Sequence, residues 1–313
     1  MPLDEFRERI EPYRRELRAH CYRMLGSIAD ADETVQDALL KAWRGLPEFA
    51  ERASQRTWLY KIATNACLDS LARRSHRFVA SEATPAGALG DALGEPRHDF
   101  IDPCPDSFWQ DTIAGPEARV SARQSVALAF VAALERLPPV QRAALLLRDV
   151  LDWPASEVAE LLDRTPAAIE SALQRARASM AREQAAAPAG DLDRELLQRY
   201  LAAWENGDPQ SIAALLREDA TLSMPPYPLW LRGRQTIASF LAGLVPTFGR
   251  IRGELVGISG GVGLAMWVCP PGEKQFSANS LTLLTVQDGA IAASETYLGP
   301  ALFRVFELPA IST

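Results

Sequence analysis

"SEVAELLDRTPAAIESALQRARASM", residues 156–180, reads as two helices joined by a tight turn. Val158, Ala159, Leu161 and Leu162 form the apolar stripe of the first helix, and Asp163-Arg164-Thr165 forms the turn. Thr165 followed by Pro166 is a strong helix start. The threonine hydroxyl accepts from free first-turn amides, and proline fits the first helical position. At roughly 100° per residue, Ile169, Ala172, Leu173, Ala176 and Met180 share one face of the second helix, and Ala167, Glu170, Ser171, Gln174 and Arg175 lie opposite. That polar face is narrow enough to enter a groove of duplex DNA. Gln174 and Arg175 are side chains that pair bidentately with adenine and guanine edges, while Arg177 and Arg182 suit flanking phosphates. Glu170 is the odd member, able to accept from cytosine N4 or to repel phosphate. The competing reading is a helical hairpin whose arginines are simply solvated.

Outward from this motif the chain divides by composition. Residues 118–187 are helical throughout, with "ALERLPPVQRAALLLRDVLDW" preceding the turn motif. Residues 3–76 form a second all-helical module, in which "PYRRELRAHCYRML", "DADETVQDALLKAWRGL" and "TWLYKIATNACLDSLARR" space apolar residues three and four apart. Between them, residues 77–117 are rich in Gly, Pro, Ala and acids, a composition that cannot build its own core. They are expected to be an extended, flexible acidic linker. After the hinge-like "AAAPAG", residues 191–313 open with a helix ending at Asn206-Gly207. Strand-like alternations divided by Gly and Asp-Gly turns follow, predicting an α+β domain with a mostly antiparallel curved sheet.

The bulk numbers set bounds. At 313 residues the chain holds two or three domains. A net charge of −7 argues against indiscriminate nucleic-acid binding but is silent about local patches. The four cysteines, Cys21, Cys67, Cys104 and Cys269, show no CxxC spacing, and the chain has only three histidines, so neither structural zinc nor a disulfide framework is expected. No metal or cofactor is expected at all. No apolar run reaches the length of a membrane span, and the charged N-terminus "MPLDEFRERIEPYRRELRAH" is neither signal peptide nor anchor, so a cytoplasmic protein is expected.

In the first module charge is segregated. Asp30, Asp32, Glu33 and Asp37 form an acidic stretch, whereas residues 40–77 carry eight bases against Glu48, Glu51 and Asp69. One end offers a protein-binding acidic face and the other a nucleic-acid face. Lys61, Asn65 and Asp69 follow at i, i+4 spacing as one polar stripe. Trp43, Phe49, Trp58 and Tyr60 place aromatics among the bases, which suits single-stranded DNA, although each taken singly is ordinarily a core residue.

"HCYRMLGSIADADETVQDALLKAWRGLPEF", "RTWLYKIATNACLDSLARR" and "LERLPPVQRAALLLRDVLDWPASEVAELLDRTPAAIESALQRARASM" together resemble regions 2 and 4 of bacterial sigma factors of the extracytoplasmic function group. "YLAAWENGDPQSIAALLREDATLSMPP" and "LRGRQTIASFL" resemble the SnoaL-like cone; sigma factors with that tail form several subgroups, and this chain is most similar to the SigG-like one. The resemblance implies a multidomain chain: two all-α sigma modules and an α+β cone. The implied partners are core RNA polymerase, through its β′ clamp helices and β flap, and promoter DNA. Asp32, Glu33, Gln36 and Asp37 match the segment laid on the clamp helices. Residues 49–56, including Arg52, Ser54 and Arg56, match the loop that captures a flipped base, and Thr57, Lys61 and Asn65 lie on the helix read against the −10 element. Arg164, Thr165, Ala167, Glu170, Ser171, Gln174, Arg175 and Arg177 match the −35 reading helix. The acidic linker resembles the connector threaded near the RNA exit path. Two positions depart from the family pattern: Pro154 stands where many relatives have a serine cap, and Glu170 occupies a −35-facing position that is often neutral or an amide, so the resemblance implies no particular promoter sequence.

For the C-terminal domain the resemblance implies a pocket that Trp204, Met224, Tyr227, Trp230, Phe240, Trp267 and Phe276 are placed to line, with an unidentified small ligand. The plainer reading is that they are core. Asp219, Glu254, Glu295 and Tyr297 are the candidate acid–base groups, but this domain contains no histidine, and no catalysis is expected. The expected role is regulation of the sigma modules in cis. Two rival classes remain: a cyclase- or isomerase-like enzyme with a DNA-binding arm, and a ligand-sensing repressor that works without polymerase.

Overall fold

The second and third helices of the first module are started by serine side chains. In the computed structural model, which describes residues 3–46, 54–74, 76–77, 85–108, 127–186 and 194–312, helix α1 (Leu3–Leu25) ends at Gly26. Gly26 takes φ 64°, a left-handed conformation that costs a glycine little. Ser27 then caps α2 (Ile28–Gly45) by accepting from the Asp30 amide at 3.3 Å. Ser54 does the same for α3 (Gln55–Leu71), accepting from the Thr57 amide at 3.0 Å. The buried stripe of α2, Ile28, Ala31, Val35, Ala38, Leu39 and Ala42, repeats every three or four residues and packs on α1 and α3.

Among the described residues four further helices follow: α4 (Leu128–Glu135), α5 (Pro139–Leu145), α6 (Ala155–Leu161) and α7 (Pro166–Ala186). Helix α5 runs on into a π-turn over Leu146–Val150, where the Leu151 amide donates to the Leu146 carbonyl at 3.0 Å. The apolar stripes expected of α6 and α7 are buried, with Val158, Ile169, Leu173 and Ala176 at 0% exposure. The turn between these helices puts Asp163 at φ 52°. The two helical modules pack together as one unit that also takes in the short 3₁₀ turn Asp106–Phe108, whose Phe108 ring lies 3.8 Å beneath the Arg18 guanidinium.

The second unit contains α8 (Arg194–Glu205), α9 (Pro209–Ala214), α10 (Arg234–Leu244) and α11 (Ala301–Val305) around strands β1 (Leu216–Ser223), β2 (Trp230–Arg232), β3 (Arg250–Ile258), β4 (Gly261–Cys269), β5 (Phe276–Gln287), β6 (Ala290–Leu298) and β7 (Ile311–Ser312). Strand order is β2-β1-β6-β5-β4-β3, with β7 beside β5, and every pair is antiparallel except β1 with β6. One sheet face packs on α8, α9 and α10 through Tyr200, Trp204, Ile237, Leu241, Met266 and Leu284.

The linker requires a correction where it is described. Residues 85–105 are not a free tether but belong to the second unit, with Phe100, Ile101 and Cys104 at 5%, 1% and 0% exposure. Gly87 and Arg97 donate their amides to the carbonyls of Trp230 and Pro226 at 2.8 and 2.7 Å. Cys104 exchanges bonds with Ser259, its amide donating to Ser259 Oγ at 3.1 Å and its carbonyl accepting from the Ser259 amide at 2.7 Å. Pro105 then pairs with Ile258 as a β-bridge. Composition showed that this segment cannot make a core; it does not need one, because it borrows the sheet's.

Candidate nucleic-acid interfaces

Helix α7 presents the expected polar face. Ala167, Glu170, Ser171, Gln174, Arg175 and Arg177 are all exposed, as are Arg164 and Thr165 ahead of them. Thr165 Oγ1 accepts from the Ala168 amide at 3.2 Å, so its hydroxyl is already used as a cap. Arg164 donates to the neighbouring Asp163 carbonyl at 3.0 Å. Arg177 is forked onto Asp149 of the π-turn at 2.9 and 2.7 Å, and this hydrogen bonding raises its pKa. Helix α6 begins after Pro154 without any side-chain cap.

On α3, Thr57, Lys61 and Asn65 recur at four-residue spacing; Lys61 and Asn65 are exposed and Thr57 is half-buried. Ser54 Oγ lies 2.9 Å from Thr57 Oγ1 and serves the helix cap. Arg56 is committed to Glu16 of α1 by bonds of 2.8 to 3.1 Å. Burial works against the Arg56 charge, but Glu16 outweighs it and the pKa is raised. Tyr60, expected near the bases, is buried, with its hydroxyl donating to Glu16 at 3.3 Å. Its pKa is pushed up first by burial and then by the Glu16 charge. Arg52 and Phe49 lie outside the described residues.

Asp32, Glu33, Gln36 and Asp37 stand exposed along α2, with Arg18 forked onto Asp32. Beside them α1 and α2 leave a groove of about 460 Å³, floored by Phe6, Ile10, Val35 and Leu39 and edged by Leu40 and Trp43. Leu40 and Trp43 are 43% and 38% exposed. From the sequence Trp43 reads only as an aromatic near bases, and the groove beside it is not foreseen. Its signal was two large apolar residues three apart on an otherwise polar helix face.

In the second unit the structure brings Trp204, Met224 and Phe240 together on the helix-packed face of the sheet. Trp267 lies between Met266 and Val268 and so points to the opposite face. There it meets Phe303 edge-on at 5.1 Å and donates Nε1 to the Pro309 carbonyl at 2.8 Å. Phe276 is buried beneath the guanidiniums of Arg250 and Arg252, at 4.9 and 4.6 Å. Tyr227 and Trp230 are half-buried. The seven aromatic and methionine side chains named as pocket candidates therefore do not converge on one cavity. Of the acid–base candidates, Asp219 is a surface partner of Arg217, whose hydrogen bond lowers its pKa, and Glu254 is exposed. Tyr297 is buried, which raises its pKa, with Glu295 and Asp102 adding to the shift.

A capped helix-turn-helix packed on a second helical module with an acidic helix, followed by an α+β cone, is the plan of a sigma factor carrying a folded tail. The family models agree: residues 9–77 match Sigma-70 region 2, residues 127–180 match Sigma-70 region 4, and residues 197–294 match a SnoaL-like domain. The chain is 42% identical over 259 residues to the ECF RNA polymerase sigma factor SigG of Mycobacterium tuberculosis, covering 79% of this chain and 70% of that protein. It is 30% identical over 324 residues to SigJ of the same organism, covering 97% and 93%. The crystal structure of SigJ superposes with a TM-score of 0.60 at 27% identity, over 97% of this chain and 99% of that one. The chain belongs to the ECF RNA polymerase sigma factors. No described helix is long and apolar enough to cross a membrane.

Proposed function

We propose that this protein brings core RNA polymerase to its promoters by placing α7 in the major groove of the −35 element and α3 against the unpaired −10 strand. The exposed stripe of α2, with the Leu40–Trp43 groove beside it, takes the polymerase clamp helices, and region 4 takes the β flap. No covalent chemistry is involved. Unstacking a base costs a few kcal/mol, and stacking on protein returns about 1–3 kcal/mol per base, so melting needs several captured bases and the leverage of polymerase. The C-terminal domain acts in cis by holding the linker. A linker bonded to Ser259, Pro226 and Trp230 is not free to thread through polymerase, so the domain and polymerase compete for the same segment.

The observation that carries this reading is the joining, in one chain, of an exposed Gln174–Arg175 helix face with an exposed Lys61–Asn65 face. Run-off transcription with core polymerase on the gene's own promoter tests it. Transcripts should require both the chain and core enzyme, and Phe100→Ala, which loosens the linker from the domain, should raise their yield. No transcript from any promoter fragment would remove the proposal, and an unchanged yield with Phe100→Ala would remove its regulatory part.

A further inference from the structure

Helix α7 has two unequal flanks. Ala167, Ser171 and Gln174, all exposed, follow at i, i+4 and i+7, the spacing at which a helix set in the major groove reaches successive bases principally on one strand. Glu170 is exposed as well and lies about 60° around the helix from Ala167, on the side away from Ser171 and toward the second strand. Arg175 and Arg182 lie on the other side of the row, at about 80° and 60°. One flank therefore carries two cations and the other a carboxylate. Glu170 has no cation at the positions where a helix pairs charges, since three and four residues away stand Pro166, Ala167, Leu173 and Gln174. Arg177, about 10 Å further along the axis, is forked onto Asp149 at 2.9 and 2.7 Å.

A carboxylate carried into a groove walled by phosphates loses hydration and meets like charge, so it is tolerated there only where the DNA supplies a donor. The four bases differ in what they offer. Guanine shows O6 and N7, both acceptors, and thymine shows the O4 acceptor and a methyl group. Adenine shows the N6 donor with the N7 acceptor beside it. Cytosine alone shows a donor, its N4 amino group, with no acceptor on its own edge. We propose that Glu170 is a specificity-determining residue of the −35 contact and accepts from N4 of a cytosine in that element. The inference rests on α7 being the −35 reading helix, and it adds the base that this one side chain selects. Ala167 and Ser171 beside it are small, which lets the helix seat deeply enough for a glutamate to reach a base edge. Selection works largely by exclusion, because at any other base the carboxylate meets N7, O4 or O6 and is repelled.

The test is run-off transcription by the full chain with core polymerase, at limiting protein, on the gene's own promoter carrying each single base-pair change across the −35 segment. The wild type should show one position that demands cytosine, where every other base lowers the yield about tenfold. With Glu170→Ala that position should become indifferent, while discrimination at the neighbouring positions persists. Glu170→Gln should move its preference to adenine, whose N6 and N7 a glutamine amide meets together. If Glu170→Ala instead raises the yield from all sequences by one common factor, Glu170 only repels phosphates; if it changes nothing, Glu170 never reaches the DNA. Either result overturns the inference. A wild type that is indifferent at every position of the segment would remove the −35 assignment of α7, and this inference with it.

Discussion

Arg177 on α7 is forked onto Asp149, Nε to Oδ2 at 2.9 Å and Nη2 to Oδ1 at 2.7 Å. The pair is substantially exposed, at 51% and 32% of the two side chains, so it holds the arginine only loosely. An exposed ion pair is worth about 0.2–1 kcal/mol, and a phosphate can replace the carboxylate at little cost. Asp149→Asn should therefore strengthen binding of a −35 duplex about two- to fivefold. Arg177→Ala should make the dependence of log affinity on log salt shallower by about one. A titration by fluorescence anisotropy at several salt concentrations, with polymerase present, reads both. An unchanged slope would mean that Arg177 braces α7 against the π-turn and never reaches DNA.

The start of α7 depends on one hydroxyl. Thr165→Ala removes the bond to the Ala168 amide and should destabilise the helical unit by about 1 kcal/mol, while Thr165→Ser should restore most of it. Urea unfolding followed by circular dichroism measures the difference. Equal losses for both variants would assign the effect to the missing methyl group instead.

Phe100 lies in the linker by sequence but in the C-terminal domain by packing. Truncating a buried phenylalanine costs about 3–5 kcal/mol. Phe100→Ala should accordingly lower the unfolding midpoint of the C-terminal domain and leave the helical unit intact. Differential scanning calorimetry on the full chain resolves this; a loss confined to the helical unit would contradict the placement of the linker.

The helix-turn-helix was legible because everything it needs is local. Its apolar stripes, turn and Thr165-Pro166 start all fall within 25 residues, and each recurs in the structure. The exposed faces of α2, α3 and α7 followed from the same periodicity. Long-range partners were not legible. Cys104 meets Ser259 across 155 positions, and Arg142 meets the Met24 carbonyl across 118, and no local pattern marks either pairing. The linker's acidic, Pro- and Gly-rich text hid three residues, Phe100, Ile101 and Cys104, that fill a core made elsewhere. The aromatic residues of the cone could be counted in the sequence, but alternation along β4 decides which face each one takes, and that face is known only once the strand register is known.

His20 gives the first module a pH limit. Its ring lies 3.0 Å from Thr64 Oγ1, fully buried, and burial, with Arg23 nearby, lowers its pKa from 6.5 to about 3. The unfolded chain takes up this proton near pH 6.5 and the folded chain does not. Stability from His20 is thus complete above pH 6.5 and falls with decreasing pH by about 1.4 kcal/mol per unit until the folded group titrates. His20→Gln should flatten the difference in urea midpoint between pH 7 and pH 5 relative to the wild type. Parallel pH profiles for the two proteins would show that other groups set the acid limit.

Permanganate footprinting of −10 thymines tests most directly whether this chain opens promoters in partnership with polymerase. The chain added alone should leave the thymines unreactive, and core polymerase alone should do the same. Together they should make the thymines strongly reactive, and the signal should fall when Lys61 and Asn65 are replaced by alanine. Reactivity from the chain without polymerase, or none from the two combined, would contradict the account.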